Sequence, residues 1–292
     1  MTQEYDKKEV LLLIENVSLQ LGSSLILRDV NATVKNIVRA DCTQGQVVAF
    51  LGPSGIGKSQ LARVLTGLQK PTSGSVKVWQ PDSTSLRNAN TPFMSLQPVH
   101  RGLVGMVQQA YPLFPFATVE DNLIIAGRQA GLSTVELHER GLSYLNDLGI
   151  YEYRKYYPKS ISGGTRQRVA IAQQLMCSDH FIVLDEPFAS LDPINKKRAC
   201  DLITSVAMRD ELNTLIVITH DIPEGMSVAD MIWVMGLQPD PFNSGKFLPG
   251  AQFVEQHDLA ELDLCWHPDI KKNPKFVDLV AYMEQRFMTL GK

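Results

Sequence analysis

The stretch Gly52-Pro53-Ser54-Gly55-Ile56-Gly57-Lys58-Ser59 follows the spacing G-x-x-x-x-G-K-[ST]. Residues of these types in this order are suited to one task, wrapping an anion. The glycines let the backbone curl until successive N–H groups face one phosphate, and a helix starting at the lysine adds the partial positive charge of its N-terminus. Lys58 would reach the β- and γ-phosphates of a nucleoside triphosphate, and the Ser59 hydroxyl would bind Mg²⁺. Gln60 follows directly and joins the candidate nucleotide-binding set. A second group of oxygens lies far along the chain, in Phe181-Ile182-Val183-Leu184-Asp185-Glu186-Pro187. An apolar strand ending in two acids pushes the first out where open α/β sheets place ligands. Asp185 can then hold Mg²⁺ through its water shell, because Mg²⁺ takes oxygen ligands and keeps several waters. Glu186 can accept a proton from an attacking water or orient it. Alone, Asp-Glu after a strand is an ordinary solvated loop. Beside a phosphate loop it is more than that.

Elements must position these groups. The run Val47-Val48-Ala49-Phe50-Leu51 leads into the phosphate loop, and Ile182-Val183-Leu184 and Leu215-Ile216-Val217-Ile218 are equally apolar. Such runs fit strands covered on both faces. Strands are expected at 10–15, 46–51, 75–78, 181–184, 214–218 and 231–234, with helices at 58–68, 196–211 and 223–228. The fold class is α/β, a P-loop NTPase core around a mostly parallel sheet. Residues 119–130, 133–148 and 164–176 read as helices with few strand signals between them, so 110–180 is expected to be an inserted helical subdomain. The core then comprises 1–109, including an N-terminal β region, and 181–236. Segments 36–43 and 80–101 read as surface additions, the second rich in Pro, Ser, Asn and Thr. The stretch 237–292 opens as loop and closes in a helix with Asn273 as N-cap and Pro274 in its first turn. Phe276, Leu279, Val280, Met283 and Phe287 give that helix one apolar face, which reads more simply as packing on its own domain than as docking a partner.

Bulk properties narrow the function. The 292 residues can bury a proper core, and 44% hydrophobic with 20% charged residues is ordinary for a soluble globular protein. A formal net charge of -3 does not recommend a nucleic-acid partner. The four cysteines, Cys42, Cys177, Cys200 and Cys265, form no C-x-x-C pair, which argues against a disulfide framework or zinc site and suits a reducing compartment. The first residues lack a signal-peptide pattern, and no apolar run approaches the ~20 residues that cross a bilayer. Any role at a membrane is therefore expected to come through a partner.

The phosphate loop alone leaves kinases, GTPases, helicases and transport ATPases open. Three further motifs narrow the field. Ile161-Ser162-Gly163-Gly164-Thr165-Arg166-Gln167-Arg168 resembles the L-S-G-G-Q signature of ABC (ATP-binding cassette) ATPases, Val107-Gln108-Gln109 their Q-loop, and Ser190-Leu191-Asp192 with Thr219-His220-Asp221 their D-loop and switch histidine. The resemblance spans roughly 10 to 236. It implies that Ser162, Gly163 and Gly164 grip ATP held on a second subunit's phosphate loop, two nucleotides being sandwiched in a head-to-tail dimer. Asp192 joins the nucleotide-binding set. Gln109 would sense Mg²⁺ and the attacking water, and His220 would contact the γ-phosphate. The candidate catalytic set is thus Lys58, Gln109, Glu186 and His220, and the metal set Ser59, Gln109 and Asp185. Taken without the resemblance, Ser-Gly-Gly is merely a helix start, and Gln109 and His220 structural residues. The other five histidines read as surface residues.

The chain departs from the family pattern at several places. Gln60 stands for threonine, Thr165 for the signature glutamine, Ile161 for leucine, Gln108 for an aromatic residue and Gln173 for arginine. Leu21 stands where an aromatic residue often stacks on adenine, which predicts weak discrimination among purine triphosphates. Leu113-Phe114-Pro115-Phe116-Ala117-Thr118-Val119 looks like the stretch that receives a permease helix in importer cassettes. The expected function is the ATP-binding and ATP-hydrolysing subunit of an importer. It would act with a second, identical or related, ATPase subunit and a transmembrane permease, with a solute-binding protein as a further partner. It would sit on the cytoplasmic face of the inner membrane. A weaker resemblance of the tail to the nitrate/sulfonate/taurine group leans toward a small anion. The alternative is a soluble non-transport ABC ATPase acting on a nucleoprotein or assembly complex, but there is no coiled coil between phosphate loop and signature and no second cassette.

Overall fold

The computed structural model describes residues 5–39, 44–81, 94–178, 180–189, 191–267 and 269–290. Two sheets carry the fold. In the larger, the strand order is β10-β9-β3-β8-β7-β6, formed by β3 (Gln46–Leu51), β6 (Gly105–Val107), β7 (Phe181–Asp185), β8 (Thr214–Thr219), β9 (Met231–Gly236) and β10 (Gln252–Asp258). All neighbours pair in parallel except β10, which runs antiparallel to β9 along the edge. The smaller sheet has the order β2-β1-β4-β5 and is antiparallel throughout, with β1 (Tyr5–Leu21), β2 (Ser24–Arg39), β4 (Ser73–Pro81) and β5 (Met94–Pro98).

The apolar runs of the central strands are explained by their alternation. Val48 and Phe50 of β3, Ile216 and Ile218 of β8, and Trp233 of β9 point into one core shared with Leu12, Ile14 and Val17 of the antiparallel sheet. Helix α1 (Lys58–Leu65) packs into that layer through Leu61 and Leu65. The opposite face of the same strands, including Val47, Leu184, Leu215 and Val217, packs on α2 (Val119–Gln129), α4 (Gly163–Leu175) and α5 (Pro193–Ala207). With both faces covered, a strand has no polar face to show. Helices α2, α3 (Thr134–Asp147) and α4 follow one another in the stretch read as helical. Capping boxes at Thr118 with Asp121 and at Ser133 with Glu136 start α2 and α3 where the sequence places them.

Four expectations need correction. Residues 36–39 are no surface addition: they complete β2, with Asn36 and Ile37 buried. In 80–101, β5 adds an edge strand to β4, while 82–93 lie outside the described residues. The tail is not loop up to its helix either, because β10 extends the main sheet. Partial burial on both its faces left β10 without the period-2 contrast that marks a half-buried strand. Helix α7 (Pro274–Phe287), capped by Asn273, packs on its own domain, with Phe276 and Met283 buried beside α6 (Ile222–Val228). Two of the five histidines read as surface residues, His180 and His257, are half-buried.

Candidate functional site

The candidate residues converge at the carboxyl ends of β3, β8 and β7. Strand β3 ends at Leu51, and residues 52–57 turn into α1 at Lys58. Gly57 sits at φ 113° as the N-cap, a conformation closed to residues with a Cβ. A Cβ on Gly52 would lie 3.0 Å from the carbonyl oxygen of Met235 in β9. The bend of Gly52, Pro53, Ser54, Gly55, Ile56 and Gly57 is therefore backbone geometry, pressed against the sheet. Lys58 is buried, and its Nζ donates to the carbonyls of Gly52 (2.8 Å) and Pro53 (3.1 Å). It stands 3.6 Å from Glu186 Oε1. Burial pulls its ammonium below the usual lysine range, against the opposing pull of Glu186 and Asp185.

Ser59 Oγ donates to Asp185 Oδ1 at 3.2 Å. Burial raises Asp185 above the ordinary aspartate range, and the Ser59 hydrogen bond offsets part of that. A carboxylate beside a hydroxyl is an all-oxygen donor pair that suits a hard divalent cation. One residue on, Glu186 takes φ 52°, rare outside glycine, and its N–H donates to Ile218 O at 2.8 Å. Its carboxylate faces the end of β8. His220 Nδ1 lies 2.9 Å from Oε1, and Thr219 Oγ1 donates to Oε2 at 3.0 Å. Thus Lys58, Ser59, Asp185, Glu186 and His220, remote in sequence, form one cluster.

Gln109 lies beyond β6, whose Val107 pairs with Leu184 of β7, so parallel register carries Gln109 past the same edge of the sheet as Glu186. Its side chain is exposed. Gln60 begins α1 with its N–H on Gly57 O at 3.0 Å and is half-buried. The remaining candidates stand apart from the cluster. Ser162 caps α4, accepting from Thr165 N (3.2 Å) and sharing a hydrogen bond with Thr165 Oγ1 (2.8 Å), and Gly163 and Gly164 form the exposed first turn. Asp192 caps α5, accepting from the N–H groups of Ile194 and Asn195 at 2.9 and 3.0 Å. Those bonds, led by the one from Asn195, hold Asp192 below the ordinary aspartate range. Ser190 lies outside the described residues.

Three further contacts on this site carry no mark in the sequence. Thr219 was read only as a neighbour of His220. Tyr111 Oη and Gln167 Nε2 both donate to Pro187 O, at 3.3 and 3.2 Å, tying the segment after β6 and helix α4 to the residue beyond Glu186. Neither has a local signal, since each acts through contacts distant in sequence.

Against known proteins, a family described as ABC transporter matches residues 35–189. The chain belongs to the ABC transporter family. ATP-binding domains of this family are ATPases that power transport. Among relatives of this ABC chain, the nitrate import ATP-binding protein NrtD of Synechocystis sp. is 32% identical over 75% of the chain and 73% of NrtD. The glycine betaine/proline betaine transport system ATP-binding protein ProV of Escherichia coli is 31% identical over 76% of the chain, which spans about half (52%) of ProV. The solved structure of cbiO1 from Clostridium perfringens, part of the ABC transporter complex cbiONQ, superposes with a TM-score of 0.66. It covers 95% of this chain and 100% of cbiO1, and at 23% identity it establishes the ABC ATPase fold alone.

Proposed function

We propose that this chain is the ATP-binding and ATP-hydrolysing subunit of an ABC importer, working through a separate membrane permease. The observation that carries the reading is the single cluster of Lys58, Ser59, Asp185, Glu186 and His220 at the end of the parallel sheet. ATP would lie with its triphosphate along the 52–57 backbone, Lys58 turning from the Gly52 and Pro53 carbonyls to the β- and γ-phosphates. Ser59 and Asp185, with Gln109 from across the sheet edge, would hold Mg²⁺. Bound there, Mg²⁺ neutralises charge on the phosphate oxygens. Glu186 takes a proton from water as the water oxygen attacks the γ-phosphorus. The bond to the bridging oxygen breaks, its electron pair leaving on ADP, and His220 steadies the γ-phosphoryl oxygens.

The division into a core (1–109 and 181–236), a helical subdomain (110–180) and a tail (237–292) belongs to the same proposal. So does dimerisation: Ser162, Gly163 and Gly164 at the exposed start of α4, with Asp192, would close on ATP bound to a second subunit. The exposed Phe114 and Phe116 (94% accessible) lie just before α2 and suit an apolar permease segment. Among the described residues no helix is long and apolar enough to cross a membrane, in keeping with a peripheral place on the inner membrane's cytoplasmic face. Import of a small anion, aided by a solute-binding protein, rests on the tail's resemblance and on NrtD being a nitrate import protein.

The test is Glu186→Gln. It should bind Mg-ATP like the wild type, lose steady-state hydrolysis by at least about 100-fold, as expected when a general base is removed, and run as a dimer in ATP on size-exclusion chromatography. Unchanged turnover would remove Glu186 from its role. Recovery of the native chain with ribosomes or nucleic acid, and not with a membrane-spanning partner, would overturn the transport reading.

A further inference from the structure

The Glu186 carboxylate has two different sides. Its Oε1 looks toward Lys58 and His220, at 3.6 and 2.9 Å, where nucleotide and water would enter. Its Oε2 looks back into the protein at Thr219, the last residue of β8 and wholly buried, whose hydroxyl at 3.0 Å is a closer donor than the His220 N–H at 3.4 Å. We infer that Thr219 is a positioning residue for ATP hydrolysis, its hydroxyl anchoring one oxygen of Glu186 so that the other faces the attacking water. This rests on the ATPase activity proposed above.

The orientation of the hydroxyl is set from both ends. Thr219 Oγ1 accepts the N–H of Asp221 at 3.0 Å, which leaves its own proton to point at Glu186 Oε2, 3.0 Å away. Asp221 is fixed in turn, because its carboxylate caps α6 at Glu224 N (3.3 Å) and pairs with Lys196 of α5. The methyl group of Thr219 fits against Gly225 of α6, where an added Cβ would lie 2.9 Å from Thr219 Cγ2. The methyl thus has an apolar contact, and the hydroxyl has both of its hydrogen bonds, only in this rotamer's arrangement. Glu186 is also held at its backbone by the N–H bond to Ile218 O. A carboxylate fixed at its backbone and at one oxygen has lost most of its rotational freedom before substrate arrives, which is how enzymes reach a reactive geometry without ordering it during the reaction.

Thr219→Val keeps the shape and the methyl but removes the hydroxyl, and Thr219→Ser keeps the hydroxyl but removes the methyl. Steady-state hydrolysis and fluorescent-ATP binding should be measured on both, with circular dichroism to establish folding. The valine variant should show kcat lowered about tenfold, the scale of one hydrogen bond to a charged group, with KM and ATP affinity unchanged. The serine variant should return to within about twofold of wild type, since the same bond is restored. Should valine leave the Asp221 N–H so poorly satisfied that the chain does not fold, Thr219→Cys, a weak donor of similar size, carries the same comparison. A folded valine or cysteine variant with wild-type kcat overturns the inference. So does a raised KM at unaltered kcat, or a serine variant as slow as valine. A wild-type chain that binds ATP without turning it over would instead overturn the ATPase reading, and it shows before any variant is made.

Discussion

Lys58 and Glu186 pair at 3.6 Å in the structure, and in the proposed reaction both would change partners. The lysine is buried, bound to two carbonyls and ion-paired, so removing it leaves those acceptors and Glu186 uncompensated. Lys58→Ala should weaken ATP binding at least about 10-fold, as loss of a charge-assisted phosphate contact implies, measured by equilibrium binding at fixed salt. Leu21 ends β1 at 39% accessibility, an aliphatic surface and not a ring. The native chain should bind ATP and GTP with similar affinity, and Leu21→Tyr should strengthen binding of either by roughly 1 kcal/mol through stacking; competition binding reads both. Asp230, far from the phosphate loop, is wholly enclosed. It accepts from Val47 N at 2.7 Å and from the Trp266 indole, joining the core to the tail. Burial dominates these donors and pushes its pKa up to about 7. The native state therefore keeps a proton that the unfolded chain, titrating near 4, has lost. Stability should fall as pH rises from about 4 to about 7 and level off above that. Asp230→Asn should flatten this slope in denaturant titrations across the window.

At the scale of elements, the turn before α2 hangs on one side chain. Asn122 is buried, accepts from Phe114 N at 2.8 Å and donates to the carbonyls of Phe114, Ala117 and Thr118 at 3.3, 3.2 and 2.8 Å. It thereby shapes the loop bearing the exposed Phe116. Asn122→Ala should cost about 2 kcal/mol, since it strands buried backbone groups, and should speed amide exchange at 113–118 far more than in α5. The helices of this region were legible in advance because each starts on a local signal, Thr118 with Asp121 or Ser133 with Glu136, followed by apolar positions at helical spacing. Strands β2, β5, β6 and β10 were not among those expected. In β2 the signal is present, since Val30, Ala32 and Val34 are buried between exposed Asn31, Thr33 and Lys35. The others are short or lack that contrast, and each is a strand because a neighbour supplies hydrogen bonds. The clamp of Tyr111 and Gln167 on Pro187 O was hidden for the same reason.

For the molecule as a whole, the tail is part of the nucleotide-binding body. Strand β10 extends the main sheet, and α7 buries Phe276 and Met283 against the layer that includes α6. Lys271 pairs with Glu224 on α6, the helix that follows His220 directly. Met283→Ala should destabilise the whole chain by about 2–5 kcal/mol, because a fully enclosed side chain leaves a cavity, and the loss should appear as one cooperative transition. Tail and core melting separately would show that they are independent units.

The phosphate loop, the paired acids after β7 and the layered α/β class were readable from residue order, because each depends on neighbours within one strand, turn or helix. The spacing from Gly52 to Ser59 specifies its own bend. Only the folded sheet decided that Lys58, Glu186, Thr219 and His220 meet. They leave three different strands, and the order β3-β8-β7 sets the end of β8 between the phosphate loop and the acids. Strand order is a property of long-range pairing, with Leu51 opposite Thr219 and Asp185 opposite Ile218. No local pattern encodes which strands become neighbours. The hydroxyl that holds Glu186 could therefore be identified only once β8 lay between its neighbours.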